Sequence, residues 1–429
     1  AQYKLGYCYY HGIGIDIDKI KAFELYKMVA EKGYATAQTN LGYLYEKGEV
    51  TERDLEKSIY WYQKAAKNGC KIALYNLGEC YELGIGVIID EAKAFEYYKK
   101  SAETANEGDI HAQYNIGICY QNGIGINKDN KKAFEWYFKS AKGEYSSAQN
   151  ILGSYYQNGI GIEKDLENAI YWYNKSAGSG NKFAKYALGN CYKNGKGVEK
   201  DEAKAFEYYK KSAEQGYLDA QFEVGYCYDK GVGTKVNKTK AFEFYIVAAN
   251  KEHRIAQNNL GELFTLGEGT EKNLEKGIYW YNKAAKNGCE IAQYNLGNCY
   301  RYGKGVEKDE RKVFEYYKKS ADQGYLYAQF ELGYCYSNGI GTEVNKTKAF
   351  EFYKIAAEKG DNVAQNNLGN LYLLGHGNEK NPEKAIYWYQ KAAENGCEAA
   401  LYNLGECYEL GIGVIIDEAK AFEYYKKSA

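Results

Sequence analysis

The apolar and polar positions of this chain follow one unit, repeated twelve times. A Leu-Gly, Ile-Gly or Val-Gly pair places its glycine at positions 6, 42, 78, 117, 153, 189, 225, 261, 297, 333, 369 and 405. The step is 36 residues except between Gly78 and Gly117, where it is 39 and three extra residues lie around Thr104 to Asn106. Ala184, Leu188, Gly189 and Tyr192 stand at offsets 0, 4, 5 and 8, a spacing that puts them on one face of an α-helix. The Ala recurs in all twelve copies and the Tyr in eleven, with Phe264 the exception. A second helical set follows, exemplified by Ala205, Tyr209 and Ala213; its Tyr and last Ala recur from Tyr26 and Ala30 to Tyr425 and Ala429. Small residues let neighbouring helices approach, while each Tyr buries a large ring and needs a partner for its hydroxyl.

The turn residues agree with this reading. A Gly-x-Gly pair such as Gly195 and Gly197 closes the first helix in eleven units; only the second, with Gly48 followed by Glu49 and Val50, lacks it. Four residues before the second helix's first core position, Ala in most units, stands Asp18, Asp54, Asp90, Asp129, Asp165, Asp201, Asn237, Asn273, Asp309, Asn345, Asn381 or Asp417. That is the N-cap position, where a short acceptor satisfies an orphan backbone N–H. Pro382 follows at a first helical position, where its missing N–H costs nothing. Gly33, Gly69, Gly108, Gly180, Gly216, Gly288, Gly324, Gly360 and Gly396 mark turns between units, and Glu144 and Glu252 replace glycine at two others. Such a hairpin cannot bury its apolar face alone, and stacking supplies the missing partner. The pattern therefore predicts an all-α fold, an α-α solenoid of twelve 36-residue helix–turn–helix repeats forming a single array over residues 1–429. At helix spacings of ~8–10 Å, the array should run on the order of 100 Å along its curve.

Composition narrows the function. Lys plus Arg (56) nearly cancels Asp plus Glu (57), and the charges are interspersed. No basic face for nucleic acid or a membrane surface is present. No apolar run approaches the roughly 20 residues of a spanning helix, so no membrane insertion is expected. There is no visible signal peptide. The chain lacks an initiator Met, begins on the repeat's first Ala and ends on its last. Residues 401–429 copy residues 74–102 letter for letter, whereas solenoid ends normally carry a distinct capping repeat, so a longer parent protein is expected.

Taken together, Ala-x-x-x-Leu-Gly-x-x-Tyr-x-x-Gly-x-Gly-x-x-x-x-Asp-x-x-x-Ala-x-x-x-Tyr-x-x-x-Ala resembles the Sel-1-like repeat (SLR), a subclass of the tetratricopeptide-like helical repeats. A plain tetratricopeptide repeat has 34 residues and a shorter turn. The resemblance implies scaffold or adaptor proteins in signalling, protein quality control and cell-wall synthesis. It also implies a protein or peptide partner, sometimes with a fused kinase-like domain; no HRD or DFG motif occurs in this chain. Some cysteine-rich relatives carry a disulfide in each repeat and are linked to β-lactam chemistry, which makes a hydrolase of cell-wall-like substrates the alternative reading. This chain departs from that pattern. Eight of its 11 cysteines (Cys8, Cys80, Cys119, Cys191, Cys227, Cys299, Cys335, Cys407) lie two residues after the repeat glycine, and Cys70, Cys289 and Cys397 lie near a helix start. Cys70 and Cys80 are ten residues apart, roughly 15 Å on one helix, beyond the ~7 Å reach of a disulfide. The family's bridging position is alanine at Ala66, Ala285 and Ala393. The cysteines read as small buried hydrophobes in a reducing compartment, the cytoplasm.

Other chemical motifs are weak. Gly-x-Gly here follows helices rather than strands, so it terminates helices instead of cradling phosphate. Ser179-Gly180-Asn181-Lys182 spells Ser-x-x-Lys without the Lys-Thr-Gly or Ser-Asp-Asn partner motifs of penicillin-recognising enzymes. His11, His111, His253 and His376 are scattered, and neither a metal nor a cofactor is expected. The sequons at Asn174, Asn237 and Asn345 are expected to stay unmodified. Trp61, Trp136, Trp172, Trp280 and Trp388 share one position of the second helix and read as core. The Ile-Tyr-Trp-Tyr blocks at 59, 170, 278 and 386 recur every three units, as tandem duplication would leave them.

One stripe remains as a candidate site. Offsets 3, 6 and 10 of the first helix lie opposite the core face and are expected to be exposed. They carry Asn40, Tyr43, Asn76, Asn115, Tyr226, Asn259, Asn295, Asn298, Tyr302, Tyr334, Asn367, Asn370 and Asn403. Units five and six hold Ile151 and Ala187 in place of the first Asn. An amide both donates and accepts, which suits an extended peptide, and Tyr is a frequent binding hot spot. In tetratricopeptide-like arrays this helix lines the concave surface, so the expectation is a non-enzymatic scaffold that holds a protein segment there.

Overall fold

The computed structural model describes residues 1–104 and 109–429. Of the three-residue insertion and the turn glycine Gly108, only Thr104 falls among them. The described residues form 24 α-helices and no strand. They divide into two compact units, Ala1–Tyr217 and Leu218–Ala429. In each unit every helix packs on its neighbours in sequence, the arrangement of an α-α solenoid. We call the two helices of each repeat A and B; in repeat 9 they are Glu290–Tyr302 and Glu310–Asp322.

Each A–B turn is held by the same few groups. All twelve N-cap residues of helix B accept a hydrogen bond from the backbone N–H three residues on, as Asp90 does from Lys93 at 3.0 Å and Asn381 from Lys384 at 2.9 Å. The cap's own N–H donates back to helix A, from Asp90 to the Tyr81 carbonyl at 2.9 Å. The lysine three residues on then bends over the same tyrosine ring, Lys93 Nζ lying 5.4 Å from the Tyr81 centroid. The first glycine of each Gly-x-Gly supplies a left-handed residue, Gly195 having φ +66°, and its N–H caps Cys191. The second glycine is left-handed too, Gly161 having φ +69°, and it does a further job. A Cβ on Gly161 would stand 2.3 Å from the Asn130 carbonyl oxygen of the preceding repeat, so only hydrogen fits between the two backbones.

These caps predict where acid acts first. The capped N–H holds the carboxyls of Asp18, Asp90, Asp129, Asp165 and Asp201 below the usual carboxylate range, and at Asp54 the Lys57 ammonium does so first. A depressed folded-state pKa contributes stability above the unfolded value, and that contribution is lost as pH falls below about 4. All six caps of the first unit are Asp, whereas four of the second (Asn237, Asn273, Asn345, Asn381) are Asn and do not titrate. Hydrogen exchange at pH 3 should therefore show helix B of residues 1–217 losing protection before helix B of residues 218–429. Equal loss in both would contradict this account.

The turns between repeats contain two exceptions. Glu144 and Glu252, which replace turn glycines, both adopt φ +66°. A left-handed non-glycine residue costs roughly 1–2 kcal/mol, partly offset because glycine loses more entropy on folding. Glu144→Gly and Glu252→Gly should each raise stability by about 1 kcal/mol, read as a shift in the urea midpoint at constant slope.

The core explains the glycine of the Leu-Gly pair. In all twelve repeats a Cβ on that glycine would strike the helix B tyrosine of the same repeat, at 2.5 Å between Gly78 and Tyr98 and at 2.4 Å between Gly153 and Tyr173. Helix A thus carries glycine so that the tyrosine ring can pass close against its backbone. Between repeats, the ring at offset 8 takes a phenylalanine edge from the preceding helix B; Phe95 meets Tyr120 at 5.5 Å and 87°. The tryptophans are core residues, as expected: Trp61, Trp172 and Trp280 are buried, and Trp136 and Trp388 pack against buried clusters.

All eleven cysteines are thiols outside any disulfide, nine of them buried and two half-buried. Burial pushes the Cys80, Cys119 and Cys335 thiols up to about 12 and those of Cys191, Cys299 and Cys407 to about 11. A thiol reagent at neutral pH should leave the nine buried cysteines of the native protein largely untouched, and the denatured, unreduced chain should titrate close to 11 thiols. A count far below that would overturn the buried-thiol reading.

Candidate functional site

The helix A stripe is built around the hydroxyls of the core tyrosines. Each such tyrosine projects from helix B past the repeat glycine, and its hydroxyl reaches the stripe from behind. Two distances along helix A supply an acceptor. Six residues after the leading Ala, Asn298 Oδ1 accepts from Tyr317 at 2.7 Å and Asn370 Oδ1 from Tyr389 at 2.6 Å. Nine residues after it, Glu46 accepts from Tyr62 at 3.0 Å and Gln121 from Tyr137 at 2.7 Å. The Asn at offset 3 arrives from the next repeat. Asn76 and Asn367 lie beside the Tyr62 and Tyr353 hydroxyls, and Asn115 beside that of Tyr75. Asn40 and Asn259 stand by Tyr26 and Tyr245, whose hydroxyls close no hydrogen bond. Asn295 donates to Asn258 Oδ1 of the preceding repeat at 3.0 Å, and Asn403 donates to Asn366 Oδ1 at 2.8 Å.

The expected exposure of the stripe is thereby corrected. Asn40, Asn76, Asn115, Asn259, Asn295, Asn367 and Asn403 are all half-buried, as are Asn298, Asn370, Tyr226 and Tyr334. The preceding repeat covers offset 3, so these amides also serve as structural partners. Tyr43 and Tyr302 are exposed; Lys47 lies over the Tyr43 ring and Lys304 over that of Tyr302.

Sequence reasoning missed the centre of the stripe in the second unit. Helix A of repeat 10 carries Glu331 where Asn usually stands, and Arg301 of repeat 9 forms an ion pair with it. The guanidinium lies 5.0 Å from the Tyr334 centroid and 5.5 Å from that of Tyr302. Burial pushes the Glu331 carboxyl up, against the pull of Arg301. A signal existed: the departure from Asn at offset 3 coincides with an Arg thirty residues earlier. It becomes readable only once those two positions are known to touch.

Two cavities flank this pair in equivalent registers. The first, about 360 Å³, is lined by Thr265, Leu266, Tyr281, Asn295, Asn298 and Cys299, with Lys272 and Lys304 among its walls. Two repeats further on, a cavity of about 260 Å³ is lined by Ser337, Asn338, Tyr353, Asn367, Asn370 and Leu371, with Lys346 and His376. Of the thirteen stripe residues, these cavities gather Asn295, Asn298, Tyr334, Asn367 and Asn370; the others line neither.

The remaining chemistry of the chain is structural. Ser179 is the exposed C-cap of its helix and donates to the Lys175 carbonyl at 3.3 Å, while Asn181 caps the next helix. His253 caps helix A of repeat 8 through Nδ1, and burial lowers its pKa. Among the described residues no group of three His, Cys, Asp or Glu could hold a metal ion, and no helix is long and apolar enough to cross a membrane. Nothing in this arrangement supports the cell-wall hydrolase alternative.

Known proteins give the same picture. The Sel1 repeat model matches residues 1–34, 35–70, 71–104, 110–145, 146–181, 182–217, 218–253, 254–289, 291–325, 326–361, 362–397 and 398–429. No curated protein sequence matches the chain. Among solved structures, it is similar to a protective antigen of uropathogenic Escherichia coli strains displaying an SLR fold. The two are 36% identical with a TM-score of 0.81, over 95% of this chain and 86% of that one. It is also similar to a Sel1 repeat protein from Oxalobacter formigenes, 29% identical with a TM-score of 0.57, over 73% of this chain and 90% of the other. Twelve matched repeats, with their caps, glycines and tyrosines in register, make this chain a member of the Sel1-repeat family.

Proposed function

We propose that this protein is a non-enzymatic scaffold or adaptor that holds a segment of a partner protein on the face lined by its A helices. Repeat folds of this kind typically serve as protein-interaction scaffolds. The observation that carries the reading is a row of exposed apolar side chains at one helix A position of the second unit. Leu266, Tyr302 and Leu374 are 57%, 55% and 58% exposed, and Leu266 and Leu374 line the two cavities. Apolar groups left in water next to concave, amide-lined surface are what a bound segment would cover.

The test substitutes Leu266, Tyr302 and Leu374 together by Ser and compares partner capture with wild type. Because the positions are exposed, stability should move by no more than about 0.5 kcal/mol at each. Capture should be lost. Capture that survives this variant but is abolished by Lys318→Glu and Lys319→Glu on helix B would move the binding face to the other side and refute the proposal.

A further inference from the structure

The two cavities carry more information than their position, because internal hydrogen bonds have already used half of each amide. Asn298 gives its oxygen to the Tyr317 hydroxyl, which leaves its NH2 as the group available to a ligand. Asn295, one helical turn earlier, spends an N–H on Asn258, so its oxygen has no protein partner among the described residues. The second cavity repeats one half of this arrangement: Asn370 accepts from Tyr389, and Asn367 lies beside the Tyr353 hydroxyl. Repeats 9 and 11 are the two in which Asn occupies both offset 3 and offset 6, and they are the repeats whose helix A lines the cavities.

One free donor and one free acceptor, a helical turn apart, match a secondary amide, which offers a C=O and an N–H. A carboxylate would meet the donor but repel the Asn295 oxygen. Charge supplies the second constraint. Lys272 and Lys304 line the first cavity and Lys346, which also donates to Ser337, lines the second, and no carboxylate lines either. We therefore propose that repeats 8–11 bind an extended, acidic peptide segment. Each Asn pair clamps one backbone amide, and the lysines meet Asp or Glu side chains on either side of it. The Arg301–Glu331 pair between the cavities is satisfied internally and spaces the two clamps. This assignment rests on the helix A face being the binding face and adds the chemistry of what binds there.

The experiment is fluorescence anisotropy on the full chain with a short, end-capped peptide of alternating Glu and Ser. Its counterpart with Lys for Glu, and a version N-methylated at alternate amides, serve as comparisons. The Glu peptide should bind saturably, more weakly as salt is added, and the other two should bind about tenfold more weakly or not at all. Asn298→Asp keeps an acceptor for Tyr317 while removing the free donor, so melting should hold and affinity should fall about tenfold. Lys272→Gln with Lys304→Gln, both exposed, should weaken binding and flatten the salt dependence. Equal binding of the Lys peptide, indifference to N-methylation, or indifference to these variants would each overturn the assignment. Failure of the Glu peptide to bind, while the Leu266, Tyr302 and Leu374 variant still loses its partner, would sink the ligand class and leave the binding face standing. Partner capture that survives that variant would sink the face itself, whatever the peptide does.

Discussion

Tyr137→Ala should lower the stability of the first unit by roughly 3–5 kcal/mol, the cost of truncating a buried aromatic ring. The ring is about 1% exposed. It lies on the Gly117 backbone, meets Tyr114 at 5.6 Å and Tyr155 at 5.5 Å, and its hydroxyl donates to Gln121. Tyr155 donates to the same Gln121 oxygen at 3.0 Å, so one side chain ties repeats 4 and 5 together. Because coupling in a repeat array is between neighbours, the damage should be local. Hydrogen exchange should show repeats 4 and 5 opening while helices at the far end of the unit keep their protection. Tyr137→Phe separates the two contributions: it keeps the ring, loses one hydrogen bond, and should cost about 1 kcal/mol. Uniform loosening across residues 1–217 would show that the repeats are more strongly coupled than nearest-neighbour packing allows.

The second large effect runs against helix propensity. Gly→Ala in a helix interior ordinarily gains up to about 1 kcal/mol. At Gly153 the new methyl would stand 2.4 Å from Tyr173 Cδ1, deep inside contact distance. The tyrosine cannot yield, because its ring is buried. Overpacking of this kind costs typically 1–3 kcal/mol, so Gly153→Ala should destabilise by about 1–2 kcal/mol after the propensity gain. The twelve sites form a graded series. Gly333, with Tyr353 at 2.9 Å, should tolerate the methyl better than Gly153, and Gly6, with Tyr26 at 3.1 Å, better still. In Gly153→Ala combined with Tyr173→Leu the two costs should fall well short of adding, because the smaller side chain makes room for the methyl. Stabilisation by Gly153→Ala would mean that the tyrosine does not rest on this backbone.

Much of the fold was legible beforehand because its determinants are local. The helix pair, its caps and the left-handed turns depend on residues within a few positions of one another, and spacing reveals them directly. Asp90, Gly195 and Pro382 each act on the backbone beside them, so their types alone identify their roles. Twelve copies of the same local pattern also made the repeat, and hence the family, readable without any contact map. The role of the Leu-Gly glycine was not readable in this way. It depends on a ring twenty residues away that reaches the backbone only when the hairpin closes. The candidate site was legible as a list of positions and misjudged as a surface. An opposite-face argument treats one helix in isolation, whereas offset 3 is covered by a tyrosine from another repeat.

The sequence by itself determined that the chain is helical, where each helix starts and stops, which residues enter the core, and that the unit must stack. Periodicity, capping chemistry and apolar spacing act over a turn or two of helix and need no partner to be read. Tertiary structure alone decided which side of the Asn295, Asn298, Asn370 and Asn403 amides is used up inside the protein. It also decided that Arg301 and Glu331 meet, and that the two repeats with Asn at both offsets line cavities. Those outcomes follow from contacts between residues 19 to 37 positions apart, made when a hairpin closes or one repeat lies on the next, and helical spacing does not record them.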